Sequence, residues 1–550
     1  MNFTKSMKNE DYLTQHYSNI LDGSYDCIDR IVLNAYCPML LIPGGVRNWY
    51  RIMQGDDRDM SDSTMMRYAG RFSRRVQAFC KKKNIPFRVF KTGERKHEEA
   101  EKLKPSDKSF IGIFAIFVSR APSLLWEVKR FENNSIDIRR KKNTSLVNHY
   151  FIHIMDKDWG HITVRMCAHP PFSCNIILNG HEWVERQDGY RKLKATKQGN
   201  CFTSYNDGEK LTQIADTLKT KGQLERVCQR WIYSCLWFVM DKQQQQATGI
   251  YYNYSIYQIE YSRNLLFTRG RQMDTVYQKI IDLTRGRLNI ERLKTIFGKK
   301  NRPYNHKSTA PAPKVCIETP DYNLTIFKIH FGRLTVKLYD KGERTLRAEV
   351  VVHNTKDLKC KRGISSFGEI TEKLETIMCS FLSNIDCAHV ATIDDGTFEE
   401  LVMPTQSGKN RLAGIDLNKK RIKQVATVLL CLSMKPGGFT SMDLSNMVNN
   451  KLQTDYSRRN ASYDIKKFRG KGIVTKIPNS IKYSLTDKGI KTLSAILSLL
   501  TKEIPAITSV VNSQWINCEK KHLLEIDKYF LKVQEQTECI RKMQGINFAA

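Results

Sequence analysis

The sequence predicts an α+β, multidomain chain: a body of mixed helices and β-meander, then a C-terminal unit of helices around a short hairpin. Three observations predict it. Period-2 alternation recurs at 148–179 and 322–354, and helical apolar stripes recur at 65–83, 224–240 and 417–434. A break at 403–414 (MPTQSGKNRLAG) combines Pro, Ser and Gly in a composition that separates domains. The length of 550 residues corresponds to roughly three or four domains, and the 41% hydrophobic content is enough to build large cores. The expected units are a basic α+β region at 1–150, a mixed region at 151–298, a β-meander with a helix at 315–400, the compact unit at 416–505 and a helical tail at 506–550.

Taken in order, residues 65–83 read as an amphipathic helix with Arg67, Arg71, Arg74, Arg75 and Lys81 to Lys83 on its polar side. Residues 110–118 form an apolar run of strand length. Residues 149–155 and 162–166 alternate on either side of Asp156-Lys-Asp-Trp-Gly160, which predicts a hairpin. Helices are expected at 211–219, 224–240 and 273–297, with the polar Gln243 to Gln246 tract as a loop. Residues 299–314 carry three prolines and no periodicity, and read as a linker. A hairpin at 334–353 places Val336, Leu338, Leu346, Ala348, Val350 and Val352 on a buried face. Thr335, Lys337, Tyr339, Arg347, Glu349, Val351 and His353 fall on the other face. A helix follows at 367–385. No repeat at a fixed period is visible.

Charge narrows the function. There are 89 Lys+Arg against 56 Asp+Glu, a net charge of +33. Residues 61–150 hold 21 basic and 9 acidic residues, a net of +12. Such an excess predicts a polyanionic partner, DNA or RNA. The N-terminus lacks the apolar core of a secretory signal, and the apolar runs are too short for a membrane span, so no membrane partner is expected. The 15 cysteines include no Cys-x-x-Cys pair, which predicts reduced thiols and a cytoplasmic setting, at a nucleoid or a ribonucleoprotein.

The unit at 417–505 is the most specific feature. Its order is helix, helix, basic helix, hairpin, helix. In the third helix Ala461, Ile465 and Phe468 form the apolar stripe, and Arg458, Arg459, Ser462, Lys466 and Arg469 the opposite face. The segment ASYDIKKFRGKGIV and the later IKYSLTDKGIKTL resemble bacterial winged helix-turn-helix domains. The resemblance implies a third helix lying in a major groove and a wing on the phosphate backbone. Arg458, Arg459 and Ser462 are then expected at base edges, and Lys466, Arg469, Lys471, Lys476 and Lys482 near phosphates. Arg71, Arg74 and Arg75 are expected to bind phosphates as well.

Catalysis is a second reading. Five of the 12 histidines lie within 148–186. Cys167, His169, Cys174 and His181 are close enough in sequence for zinc, but their spacing matches no established finger. The hairpin pair Tyr339-Asp340-Lys341 and Leu346-Arg347-Ala348-Glu349 resembles phage and plasmid replication initiators. It singles out Glu349, with His149 or His153, as a polar core able to hold Mg2+ if the chain is a metal-dependent nuclease or a nickase. Tyr277-Gln-Lys279 approaches, without matching, the nucleophile motif of such enzymes. The segments LNGHEWVERQ, GNCF, YSRNLLF and LRAEV resemble a large bacterial family linked to mobile elements and without an assigned activity. No P-loop, nucleophile elbow or dinucleotide fingerprint is present, so no cofactor is assigned. At this level recognition, catalysis and an RNA-guided effector all stay open.

Overall fold

The structure is a computed structural model that describes residues 11–91, 94–107, 109–133, 135–219, 222–287, 294–295, 314–321, 324–331, 333–358, 360–389, 396–407, 410–435, 437–452, 456–500 and 525–543. The expected linker at 299–314 lies almost wholly outside the described residues. No helix among those described is long and apolar enough to cross a membrane. The fold is α+β.

Among the described residues, sixteen strands make up the body: β1 (Leu21–Tyr36), β2 (Phe87–Val89), β3 (Gly112–Ser123), β4 (Trp126–Arg130), β5 (Ile136–Arg140), β6 (Ser145–Asp156), β7 (Gly160–Cys167), β8 (Cys174–Asn179), β9 (Thr196–Gln198), β10 (Cys201–Ser204), β11 (Asn253–Phe267), β12 (Lys294–Thr295), β13 (Lys314–Asp321), β14 (Leu324–Phe331), β15 (Leu334–Asp340) and β16 (Thr345–Val352). Twelve of them join in one sheet of order β12-β13-β14-β15-β16-β11-β1-β8-β7-β6-β3-β2. The expected boundary at residue 150 falls inside β6, and the 315–400 meander continues the same sheet. These boundaries separate nothing, because edge strands left on either side would have exposed their unpaired backbone groups.

The sheet is an internal duplication about its central pair, β1 and β11. Outward from the centre, one half runs β1, β8, β7, β6, β3, β2 and the other β11, β16, β15, β14, β13, β12. Each half starts with a long central strand, and helix follows (Pro43–Gln54 and Asp62–Lys83, or Gly270–Arg287). A short edge strand then pairs in parallel with its successor, β2 with β3 and β12 with β13. Four antiparallel strands lead back to the half's own first strand. At the centre Ile31 pairs with Ile259, and each strand carries one bulged residue two positions earlier, Asp29 and Tyr257.

Register extends the likeness to residues. Thr163 of β7 lies between His153 and Ile177, and Thr335 of β15 lies between His330 and Val351. Around them His161-Ile-Thr-Val-Arg165 matches Arg333-Leu-Thr-Val-Lys337.

One face of the sheet is packed by helices. Ser61 caps the Asp62–Lys83 helix in a capping box, and Met65, Tyr68, Phe72, Val76 and Cys80 form its buried stripe. Phe72 lies 4.5 Å, ring to ring, from Tyr150 of β6. The Gln223–Leu236 helix covers β7 and β8, and the Phe367–His389 helix covers β11 and β16. The Gln243 to Gln246 tract is helical, not a loop: Asp241 caps Lys242–Thr248 and Gln244 returns the bond. Of the helix expected at 273–297, the described part is Gly270–Arg287, and Lys294–Thr295 is a strand.

The other face is polar and partly covered. The Lys96–Lys102 helix rests on Phe114, Ala115, Phe117 and Met155 through Ala100. The Gly180–Glu185 and Gly208–Asp216 helices pack on β1.

Beyond the body lie the Lys420–Ser433, Ser441–Leu452 and Arg458–Gly470 helices, a hairpin of Val474–Lys476 and Tyr483–Leu485, and the Asp487–Ser498 helix. Thr486 accepts the backbone N–H of Gly489 at 3.0 Å. A side chain at Gly489 would strike the carbonyl oxygen of Ile473, which explains the Thr-x-x-Gly spacing. This unit joins the body's core, and Tyr12 donates to Asp487 at 2.9 Å.

Candidate functional site

On the first half of the polar face, a cleft of about 690 Å3 opens between the Lys96–Lys102 helix and the β9–β10 hairpin. Its floor includes Asp29, Arg30, His153, His161, Thr163, and Glu260. Alternation along β6 and β7 brings His153, His161 and Thr163 to this side. His161 Nδ1 donates to Glu101 Oε1 at 2.7 Å, and its Nε2 lies 3.1 Å from His153 Nδ1. Thr163 Oγ1 is 3.1 Å from the same His153 nitrogen. The His161 hydrogen bond, opposed by burial but helped by Lys104, holds the Glu101 carboxyl down to about 2. Burial and the neighbouring His161 push His153 down to about 3, so its ring is neutral. His97 lies on the same helix as Glu101, and ligand atoms of His97, Glu101 and His161 all fall within 4.8 Å of one another.

Toward the centre the charges are sealed in pairs. Arg347 is 0% exposed; it donates to Asn264 Oδ1 at 2.6 Å and to Asp29 Oδ2 at 3.1 Å. The other Asp29 oxygen lies 2.9 Å from His181 Nδ1. Burial raises the Asp29 carboxyl, but Arg347 and His181 outweigh it and hold it below the ordinary value. Glu349 is held by Lys337 at 3.2 Å and by the Tyr339 hydroxyl at 2.9 Å. Half-buried Glu260 accepts from Gln258 at 2.7 Å. Burial, then repulsion from Glu349, pushes Glu260 up to about 7.

The structure does not bring Glu349 together with His149 or His153. Five strand spacings separate β16 from β6, roughly 24 Å. Sequence alternation placed Glu349 on the other face of its hairpin without revealing that β11, β1, β8 and β7 lie between it and the two histidines. His149 is buried against Cys167 and Ser119, and burial followed by the charge of Arg165 lowers it to about 4. That polar face is also far less solvated than alternation suggests, because Thr335, Arg347, Glu349 and Val351 are all buried. The Cys167, His169, Cys174 and His181 set does not converge: Cys167 donates to Ser123, Cys174 to the Phe172 carbonyl, and His181 turns to Asp29. Tyr277 is buried and donates to the Leu338 carbonyl at 2.9 Å, a structural role.

The basic residues divide by exposure. Arg458, Arg459, Lys466, Arg469 and Lys476 are exposed, while Ser462, Lys471 and Lys482 are half-buried. Lys471 donates to the Glu400 carbonyl, which turns its ammonium back to the body. Arg74 is exposed and Arg71 half-buried. Arg75 is a tie within the body, donating to the Trp237 carbonyl at 2.9 Å and lying over its ring. Sequence reasoning missed Asp29, His97, Glu101 and Glu260. The one signal for any of them was the i, i+4 spacing of His97 and Glu101.

No family model, no curated protein and no solved structure matches this chain.

Proposed function

We propose that the chain binds nucleic acid, with residues 417–505 acting as a winged helix that sets the Arg458–Gly470 helix against a duplex, either DNA or structured RNA. The observation that carries the reading is the outer face of that helix. Ala461, Ile465 and Phe468 are buried, and Arg458, Arg459, Lys466 and Arg469 all face solvent. Residues 416–505 hold 17 Lys+Arg against 6 Asp+Glu. Asp464, the acid within the helix, is buried and paired with Arg421 at 2.9 Å and with the Tyr456 hydroxyl at 2.7 Å, so it does not offset the cationic face. Ser457 caps the N-terminus beside Arg458 and Arg459, where a recognition helix meets its groove. Lys476 on the hairpin extends the basic surface to where a wing would track phosphates. A bacterial or phage mobile element is a setting consistent with this role.

Binding of the full chain to labelled DNA and RNA duplexes, titrated over a salt series, tests the reading. On duplex DNA the log–log slope should be about −0.9 per neutralised phosphate. Lys476→Ala should flatten it by about one unit, and Arg459→Ala should cost roughly 1–3 kcal/mol. If Arg459→Ala, Lys466→Ala and Lys476→Ala combined keep the melting temperature and leave affinity unchanged, the unit does not contact nucleic acid.

A further inference from the structure

We propose that His97, Glu101 and His161 form a binding site for one divalent transition-metal ion of the zinc class, at the mouth of the first-half cleft. Two imidazoles and one carboxylate are borderline ligands that favour such ions over Mg2+. Their ligand atoms already lie within 4.8 Å of one another, so small side-chain rotations close the set. The backbone that carries them is fixed. Ala100 and Leu103 anchor the Lys96–Lys102 helix in the apolar cluster over β3 and β6, which turns His97 and Glu101 toward β7. Lys104 lies 4.0 Å from Glu101 but 3.0 Å from Glu182, so it keeps a partner when Glu101 turns to a metal.

The next layer is built for an imidazole that binds through Nδ1. Such a ring must present its Nε2–H to an acceptor. His161 Nε2 meets His153 Nδ1 at 3.1 Å, and Thr163 Oγ1 fixes that acceptor from the other side. His153 is 2% exposed, and its remaining nitrogen, Nε2, has no hydrogen-bond partner among the described residues. Burying an imidazole with an unsatisfied nitrogen costs stability, which is the kind of compromise expected where a ring is kept to orient a ligand.

The duplication supplies an internal comparison. The second half keeps the threonine–histidine pair, with Thr335 and His330 at 2.9 Å, but has Arg333 where the first half has His161. A guanidinium cannot ligate a cation. The scaffold is therefore common to both halves, and the ligand set belongs to one. Three protein ligands leave a coordination position open toward the cleft, the arrangement of metal sites that act on a substrate and not of purely structural ones.

This site is independent of the winged-helix reading, and its test uses metal alone. Full-length protein is stripped with a chelator and titrated calorimetrically with Zn2+; Co2+ then replaces Zn2+ and its visible bands are recorded. One ion per chain should bind, with Co2+ bands that report inner-sphere histidine. His97→Ala changes an exposed side chain, so the stripped variant should melt as the parent does, and Glu101→Gln, which keeps an oxygen for His161 but loses the charge, should stay folded with a somewhat lower melting temperature. Each should weaken Zn2+ by at least 100-fold, beyond the roughly 10–100-fold loss expected from removing an outer-shell partner. His161→Ala should abolish the Co2+ bands, and His353→Ala should change neither measurement. Absence of stoichiometric binding at micromolar Zn2+, or binding that survives both His97→Ala and Glu101→Gln, overturns the proposal.

Discussion

In the first half of the sheet, His153 stands between Thr163 and His161, and the chain of polar contacts runs outward to Glu101 and solvent. In the second half, Thr335 stands between His330 and His353, at 2.9 and 3.2 Å. The contrast repeats two residues along the strands. Arg165 and Lys337 occupy matching places, but Arg165 lies over the Phe151 ring, and its Nε has no hydrogen-bond partner among the described residues. Lys337 neutralises Glu349. One backbone plan thus supports two treatments of charge. The second half spends Lys337 on an internal pair, whereas the first leaves a neutral imidazole, His153, in the floor of an open cleft and a cation, Arg165, with an unsatisfied nitrogen over the Phe151 ring beside it. Unsatisfied groups lower stability, and they concentrate where the surface is free to take a ligand.

The matched cations offer the largest test of that contrast. Lys337→Met strands the Glu349 carboxylate, whose side chain is 4% exposed, leaving only the Tyr339 hydroxyl among the described residues to hold it. Removing one partner of a buried pair costs about 3–5 kcal/mol, and the surviving hydroxyl brings the expectation to about 3 kcal/mol. Arg165→Met removes a cation with no acid partner among the described residues and keeps the contact with Phe151, so its cost should stay below about 1 kcal/mol. Denaturant unfolding of both variants at neutral pH measures the difference. Equal costs would show that the two halves handle charge alike.

Where the sequence was readable, and where it was not, follows from the same geometry. The β15–β16 hairpin was legible because its alternation runs unbroken from Leu334 to Val352. The Arg458–Gly470 helix was legible because one stripe of three apolar residues contrasts with four exposed cations. The two central strands went unread. A bulge at Asp29 and another at Tyr257 each insert one residue and reverse the inside–outside phase in mid-strand. The duplication went unread because the first half carries the β4–β5 hairpin between β3 and β6, where β13 and β14 of the second half are two residues apart, so matching residues recur at no fixed period. Likewise His97 and Glu101 come from a short helix distant in sequence from β7 and meet His161 through the fold alone, and Glu349 fell on the expected face but beside the wrong partners.

A second test concerns the boundary between the halves, where Glu260 of β11 lies opposite Arg30 of β1. Burial and Glu349 push the Glu260 carboxyl up to about 7, so the folded chain holds its proton more tightly than the unfolded chain does. The stability this contributes is fully present below the ordinary value near 4.5 and is lost as pH rises through 7. Glu260→Gln removes the titration. The stability difference between parent and variant should therefore shift against the parent by about 2 kcal/mol between pH 5 and pH 8, after allowance for partial exposure. A difference that stays flat over that range would mean that Arg30 and Lys337 already hold Glu260 ionised, and that the sealed half extends across the central pair.

The smallest effect tests the duplication itself. Thr163 and Thr335 occupy one position in the repeated plan, and valine keeps their shape while removing the hydroxyl. Thr163→Val takes one contact from His153, whose Nδ1 still has His161 at 3.1 Å. The expected cost is about 1 kcal/mol or less, the worth of one ordinary hydrogen bond. Thr335→Val takes a contact from each of two imidazoles, at 2.9 Å from His330 and 3.2 Å from His353, and should cost about 1.5 kcal/mol. The order of the two values matters more than their size. A larger loss at Thr163 would place the rigid, fully satisfied network in the first half, beside the cleft, and would reverse the assignment of an open half and a sealed one.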